Sequence, residues 1–150
     1  MKRKIKNKII SEKFVRRTIR DWLFRNGWGR NYIEKETHEQ GVDIKVCHNK
    51  YSRYFFIETK GESSAKSAKS QKETAFVYSL GQIITRMKAG SARYYYGLGL
   101  PVSSAVIAIR RIPWQVGKKL LLYIFSVDST GKVKRYAWQD LRIIQKKSEK

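Results

Sequence analysis

Two β-forming segments lie close together in the chain and limit the folds open to it. The segments VDIKVC (42–47) and RYFFIETK (53–60) are rich in β-branched and aromatic residues, and only the polar stretch HNKYS separates them. Such a short polar connection favours an antiparallel hairpin. A regular hairpin that turns in the middle of this stretch sets Asp43 directly opposite Glu58.

Charged side chains at the end of this hairpin indicate a chemical role. Glu58 and Lys60 are two residues apart in one strand, so they point to the same face of the sheet. The carboxylates of Asp43 and Glu58 would repel each other, and their pairing calls for a compensating cation. Mg²⁺ suits this role, with Mn²⁺ as its expected substitute, because Mg²⁺ binds one or two carboxylates together with water and substrate phosphate oxygens. Lys60 would then orient the attacking water and balance the charge that develops during phosphodiester hydrolysis.

An amphipathic helix is predicted at SEKFVRRTIRDWLFRNG (11–27), with Ser11 as its N-cap and Asn26-Gly27 as its end. Glu12 projects almost along the middle of the apolar stripe, where a solvated glutamate would not lie. Two interpretations of Glu12 remain open. It either serves the metal site as a ligand or supporting residue, or it stabilises the helix dipole by ~0.3–1 kcal/mol. The stripe itself comprises Val15, Ile19, Trp22 and Leu23.

Hydrophobic patterns predict the secondary structure of the rest of the chain. We expect a strand at 31–36, a helix from about Gln71 to Met87, and a Gly- and Tyr-rich connection at 90–104. Phe76, Leu80, Ile83, Ile84 and Met87 form the expected buried stripe of that helix. Further strands are expected at AVIAI (105–109), in KKLLLYIFSVD (118–128) and, as an edge strand, at KVKRYAW (132–138). The order α-β-β-β-α-β with extra C-terminal strands predicts an α/β fold with helices on a central sheet.

The length of 150 residues suffices for one hydrophobic core. We therefore expect a single domain at 11–140, preceded by a basic arm at 1–10 and followed by a charged tail at 141–150. The single cysteine, Cys47, excludes an internal disulfide framework and suits a reducing compartment, so the expected location is the cytoplasm. No apolar run approaches the ~20 residues that a membrane-spanning helix needs.

Positive charge dominates the composition. The chain has 33 Lys and Arg against 12 Asp and Glu, a net charge of +21, which indicates a polyanionic partner. DNA is the expected partner, although composition does not separate DNA from RNA. The residues expected to contact phosphates lie in the arm, on the first helix and after the second β-forming segment: Lys2, Arg3, Lys4, Lys6, Lys8, Arg16, Arg17, Arg20, Lys66, Lys69 and Lys72.

Taken in order along the chain, these motifs resemble those of a known nuclease superfamily. GVDI (41–44) and FIETKGE (56–62) follow a helix that bears Glu12 and precede a helix that contains SLGQIITRM (79–87). This arrangement resembles the PD-(D/E)XK nuclease superfamily, whose restriction-endonuclease-like fold has an αβββαβ core. Glu12 matches the first-helix glutamate that several branches of the superfamily have.

The resemblance implies roles for individual residues. It makes Asp43 and Glu58 metal ligands and Lys60 the catalytic lysine, and Gln82 matches a supporting helix glutamine found in some branches. Val42 stands where the superfamily has a proline, which leaves the carboxylate chemistry unaffected. The implied fold is a central mixed sheet flanked by helices.

Two functional hypotheses follow from these observations. The first is a Mg²⁺-dependent DNA endonuclease, and the second is a basic nucleic-acid-binding module that has the same fold but no catalysis. Because Asp43, Glu58 and Lys60 are all present, the first is favoured. Junction-resolving, nicking and restriction types all fit the size and charge of the chain. A small nuclease that cuts both strands usually acts as a symmetric homodimer, and a homodimer is therefore part of this hypothesis.

Overall fold

The computed structural model describes residues 8–30, 41–63, 68–88 and 93–150, but not the side chains of Ala68 and Lys69. Several predictions therefore lie outside the described residues. They are the strand at 31–36 and the phosphate contacts assigned to Lys2, Arg3, Lys4, Lys6, Lys66 and the side chain of Lys69.

Helices and a single mixed sheet make up the described part of the chain. The helices are α1 (Glu12–Arg25), α2 (Ala68–Thr85), α3 (Val102–Arg111), α4 (Trp114–Leu120) and α5 (Trp138–Ser148). The strands are β1 (Ile44–Cys47), β2 (Tyr54–Thr59), β3 (Tyr94–Pro101), β4 (Leu122–Val127) and β5 (Val133–Tyr136). Their order in the sheet is β1-β2-β3-β4-β5; β2, β3 and β4 run parallel, and the two outer pairs are antiparallel. The prediction of an α/β fold with a central mixed sheet and flanking helices is confirmed.

The predicted hairpin is present in the predicted register. β1 and β2 pair antiparallel, with Ile44 facing Ile57 and Cys47 facing Tyr54. Continued by one residue, this register sets Asp43 opposite Glu58. The register of the two strands therefore brings both acids to the same end of the hairpin.

Helix α1 begins and ends where its sequence predicts. The Ser11 hydroxyl accepts a hydrogen bond from the Phe14 amide at 3.1 Å, which satisfies one of the free N–H groups of the first turn. Asn26 caps the other end, and Gly27 follows with a φ of +88°, a conformation that glycine adopts without steric cost. Trp22 of the predicted stripe is half-buried. The other three members are fully buried: Val15, Ile19 and Leu23.

A hydrophobic cluster lies on each face of the sheet, because successive residues of β2, β3 and β4 point to opposite sides. The cluster under α1 contains Phe55, Ile57, Phe125 and Val127. The opposite cluster, under α2, α3 and α5, contains Phe56, Leu98, Leu100 and Ile124. Covered on both faces, the central strands are apolar throughout, and a polar residue in them stands out.

The predicted Gly- and Tyr-rich connection is wrong, because Tyr94–Pro101 forms β3, the central strand of the sheet. Its glycines are needed for packing. A Cβ added at Gly99 would lie 2.4 Å from Cδ1 of Ile19, and one added at Gly97 would lie 2.9 Å from the Phe125 ring. These glycines let α1 and the neighbouring strand approach closely, whereas in the sequence they resemble a loop signal.

The strand predicted at 105–109 is also wrong, since this segment lies within helix α3. Pro101 precedes the helix, and Arg110 and Arg111 occupy its last turn, as is typical of helix boundaries. The five-residue apolar run was too short to reveal a helical period. The period is visible in the buried residues of the whole helix: Ser104, Ala105, Ala108 and Ile109.

Smaller differences concern α2 and the C-terminus. Helix α2 begins at Ala68 rather than near Gln71, and Ile84 of its predicted buried stripe is 46% exposed. Residues 138–148, which include most of the predicted charged tail, form α5, and Leu141 anchors this helix with 1% exposure. None of the helices in the described ranges has the length and apolar character needed to cross a membrane.

Candidate functional site

The candidate site lies at the C-terminal end of β2, where a strand that is otherwise apolar becomes polar. Asp43 immediately precedes β1 and is held by the neighbouring strand. Its Oδ2 accepts hydrogen bonds from the Thr59 amide at 2.8 Å and from the Thr59 hydroxyl at 3.1 Å. Because Thr59 is fully buried, these bonds fix the Asp43 carboxyl against the sheet.

Glu58 is the most unusual residue of the site, because its charged side chain is only 2% exposed within the sheet. Its Oε1 accepts a hydrogen bond from Nη1 of Arg86 at 2.5 Å. Burial raises the pKa of Glu58 to about 7, helped by the charge of Asp43 and by a side-chain hydrogen bond between the two carboxyl groups, while Arg86 and Lys60 oppose the shift. Glu58 therefore takes up a proton near neutral pH, well above the usual range of a glutamate.

Lys60 follows β2 directly and stays close to the acids. Its amide donates to the Gly99 carbonyl at 3.0 Å, which continues the pairing with β3 by one residue. Its charge lowers the pKa of both Glu12 and Glu58, so its ammonium group lies within electrostatic range of both. Lys60 therefore lies in the same part of the molecule as the two glutamates.

Glu12 reaches the site because the start of α1 is held against the segment that follows β2. The Glu62 amide donates to the Ile10 carbonyl at 2.7 Å, and the Ile10 amide donates to Oε1 of Glu62 at 3.3 Å. Between them, a Cβ added at Gly61 would lie 2.2 Å from the Glu12 nitrogen, so only glycine permits this approach. Glu12 is exposed at the start of α1, so the expectation that it is withdrawn from solvent is wrong. Partial desolvation of its carboxyl group and the charge of Asp43 still raise its pKa.

The site offers a magnesium ion two carboxylate ligands, Asp43 and Glu58, and no third one among the described residues. Within the described residues, no three His, Cys, Asp or Glu side chains are grouped closely enough to hold a metal. Glu12 is therefore coupled electrostatically to Asp43 without completing a ligand set. Asp43 and Glu58 lie opposite each other in the hairpin register, and Mg²⁺ commonly uses one or two carboxylates with water and phosphate oxygens as the remaining ligands.

Arg86 is a residue of the candidate site that the sequence analysis did not predict. It lies one residue beyond α2 and 28 residues from its partner Glu58, a separation that no local pattern reveals. The one available signal was its position four residues after Gln82, on one face of the helix that the sequence predicts from about Gln71 to Met87. Gln82 itself is half-buried, and its Oε1 is buried without a hydrogen-bond partner in the described part of the chain.

The predicted phosphate contacts divide into two groups among the described residues. Lys8 and Arg17 are exposed, whereas Arg16 and Arg20 are half-buried, and Arg20 pairs with Asp21 at 3.9 Å. Arg16 is close enough to lower the pKa of Glu12. The second group is represented by the half-buried Lys72, which shares a cavity with Lys60.

Comparison of the chain with protein-family models, with curated proteins and with solved structures finds no match.

Proposed function

We propose that this protein is a Mg²⁺-dependent endonuclease that hydrolyses phosphodiester bonds in DNA. One observation carries the proposal: the buried Glu58 lies opposite Asp43 in the hairpin register at the end of a central strand, where Thr59 holds the aspartate, and burial raises the pKa of Glu58 to about 7. Buried acids with strongly shifted pKa values are typical of functional sites. The net charge of +21 supports a polyanionic substrate.

The residues of the site have separable tasks in this proposal. Asp43, held by Thr59, and Glu58 would bind the cation, which when bound neutralises charge on the scissile phosphate. Glu58 must lose its proton to become a ligand. Lys60 would position the attacking water and donate to the oxygen on which negative charge develops. Glu12, near Asp43 and Lys60, would adjust the charge of the site.

The order of elements supports the superfamily assignment, which remains part of the proposal. The antiparallel pair β1-β2 is followed by α2 and by β3, which joins β2 in parallel. In an αβββαβ core, β1 and β2 would be the second and third strands, α2 the second helix and β3 the final strand. The first strand of such a core would fall at 31–36. A cytoplasmic location and a homodimer belong to the same proposal.

A second candidate function is a nucleic-acid-binding module without catalysis. The observation that favours it is the contact between Arg86 and Glu58, since a guanidinium group already compensates the buried carboxylate. The lack of a three-residue ligand group in the described ranges points the same way. In this case the acids would be structural, and the basic surface would carry the function.

A cleavage assay separates the two candidates. Supercoiled, linear, single-stranded and four-way-junction DNA are incubated with the protein in Mg²⁺, in Mn²⁺ and in chelator. A nuclease cleaves at least one substrate with either metal and none in chelator, and Asp43→Ala loses this activity. Binding of all substrates without cleavage of any supports the binding module instead.

Lys60 provides an independent test of the mechanism. Lys60→Ala should lower the cleavage rate by about 10²-fold or more with little change in Mg²⁺ affinity, because its role lies in the transition state. Lys60→Arg should restore the rate only in part, since a planar guanidinium does not reproduce a compact ammonium. Rates equal to the parent's in both variants would remove Lys60 from the mechanism.

A further inference from the structure

A cavity of about 430 Å³ opens beside Lys60 and has no role in the site described so far. Its walls come from three elements: the segment after β2, the first turns of α2, and Ser104 of α3. The volume falls in the ~300–1,000 Å³ range of small-ligand sites. Because Lys60 belongs to both places, whatever occupies the cavity lies next to the proposed reaction centre.

The charges of the cavity select an anion. Lys60 and Lys72 both line it. Glu62 also lines it, but its Oε1 accepts a hydrogen bond from the Ile10 amide and is directed to the start of α1. Two lysines, one of which belongs to the proposed phosphodiesterase centre, suit a phosphate group.

The cavity also has a buried hydrogen-bond acceptor without a donor, which a bound ligand would satisfy. Gln71 lines the cavity, and its Oε1 is buried and has no hydrogen-bond partner among the described residues. A buried carbonyl oxygen of this kind is stabilised by any ligand that brings a donor. Every nucleobase presents at least one N–H donor on the edge used for base pairing, and this edge is free only in an unpaired base.

An aromatic ring stands at the rim of the same cavity. Tyr78 lines it and is 64% exposed. Exposed aromatic rings stack with the faces of unpaired bases, and such stacking tolerates any base. Tyr78 and Gln71 are seven residues apart in α2, so they lie on one side of the helix, two turns from each other.

We propose that this cavity holds one unpaired nucleotide of the substrate strand. The phosphate contacts Lys60 and Lys72, the base stacks on Tyr78, and its pairing edge donates to Gln71. The inference rests on the proposed function and specifies its substrate: nucleic acid with single-stranded or readily unpaired nucleotides beside the scissile phosphate. A base held in a duplex reaches such a pocket only if it is extruded, which costs unpairing and unstacking energy.

Binding in chelator tests this without any need for cleavage. The affinity of the full chain for a short fluorescein-labelled single-stranded oligodeoxynucleotide and for the corresponding duplex is measured by anisotropy at fixed salt. Tyr78→Ala should weaken single-strand binding about fivefold or more and change duplex binding less than about twofold. Gln71→Leu should act in the same direction. Tyr51→Ala is the matched control, because Tyr51 is also exposed, at 62%, but lies in the β1-β2 turn.

The outcomes are distinct. Equal losses for both nucleic acids in Tyr78→Ala, or a loss in Tyr51→Ala as large, would overturn the nucleotide pocket in favour of general aromatic contacts. Unchanged single-strand affinity in both Tyr78→Ala and Gln71→Leu would also overturn it. A titration of the ¹⁵N-labelled protein with thymidine 5′-monophosphate gives a second measurement: the Gln71 side-chain amide signal should shift. Since neither measurement involves metal or cleavage, a protein that fails to cut DNA can still pass both.

Discussion

Two regions of the molecule contain the same pair of features in opposite environments. The first region, the β2 end, comprises Asp43 and residues 58–61. It contains a glycine, Gly61, and a glutamate, Glu58, that forms an ion pair with Arg86. The second region, the outer face of α2, comprises Glu73, Val77, Gly81 and Ile84. It also contains a glycine, Gly81, and a glutamate, Glu73, that forms an ion pair with Arg111. At the β2 end the glutamate is 2% exposed, whereas on the outer face of α2 it is 54% exposed.

The two ion pairs have nearly the same geometry. Arg86 Nη1 and Glu58 Oε1 are 2.5 Å apart, and Arg111 Nη1 and Glu73 Oε1 are 2.6 Å apart. Water screens the exposed pair, which is worth at most ~1 kcal/mol. At the β2 end, burial and the neighbouring Asp43 raise the pKa of Glu58 in spite of its arginine. The environment, rather than the contact, makes one of these glutamates chemically unusual.

The largest expected difference between the regions is in cleavage. Glu58→Ala should lower the Mg²⁺-dependent cleavage rate by about 10²-fold or more, because it removes a proposed metal ligand. DNA binding in chelator should be unchanged or stronger, because a repulsion against phosphate is removed as well. The measurement is the cleavage rate at saturating DNA beside the affinity in chelator.

Glu73→Ala is the control for that prediction, since it also removes a carboxylate from an arginine. It should leave both quantities within about twofold of the parent's, as expected for an exposed pair. Equal cleavage by the two variants would show that the β2 end is not the reaction centre.

The second prediction concerns the pH dependence of stability in chelator. Because the pKa of Glu58 is about 7 in the folded chain against 4.5 as its ordinary value, folding takes up a proton between these limits. Stability from this group is complete below about pH 4.5 and is lost as pH rises through 7. The loss is about 3 kcal/mol on the linkage relation.

Glu58→Gln should remove that loss, since the amide has nearly the shape of the protonated carboxyl group and does not ionise as the pH rises. Urea unfolding at mildly acidic and mildly alkaline pH provides the test: the variant should exceed the parent only on the alkaline side, and Glu73→Gln should follow the parent throughout. A parent whose stability rises from acidic to alkaline pH, with no gain in Glu58→Gln, would contradict the raised pKa of Glu58.

The third prediction uses the glycine of the β2 end. In Gly61→Ala the new Cβ would lie 2.2 Å from the Glu12 nitrogen and 2.7 Å from the Ser11 carbonyl carbon, so the backbone itself must shift. We expect a loss of about 1–3 kcal/mol in unfolding free energy, as for other overpacked sites. Because the shift moves the start of α1 away from Lys60, cleavage should fall as well. A variant with parental stability would show that this approach is loose in solution.

Much of the β2 end could be predicted from the sequence, because its geometry follows from local rules. A short polar turn and a side-chain period of two fix the register that brings Asp43 to Glu58. Arg86 could not be predicted, since its contact with Glu58 depends on where α2 ends relative to the sheet. β3 was missed because Gly97 and Gly99 serve close packing, a requirement that appears only once α1 and Phe125 are in place.

The smallest expected effect concerns the glycine on the outer face of α2. A Cβ built at Gly81 meets no atom of the described residues within 4 Å, and the position lies inside a helix. Gly81→Ala should therefore stabilise the chain by about 0.5–1 kcal/mol, because alanine loses less backbone freedom on folding. Urea unfolding measures this gain, and the cleavage rate should not change. A destabilised Gly81→Ala, with the loss growing at higher protein concentration, would mean that a second copy covers this face next to the exposed Val77 and Ile84. The two glycines would then both mark close approaches, one within the chain and one between chains.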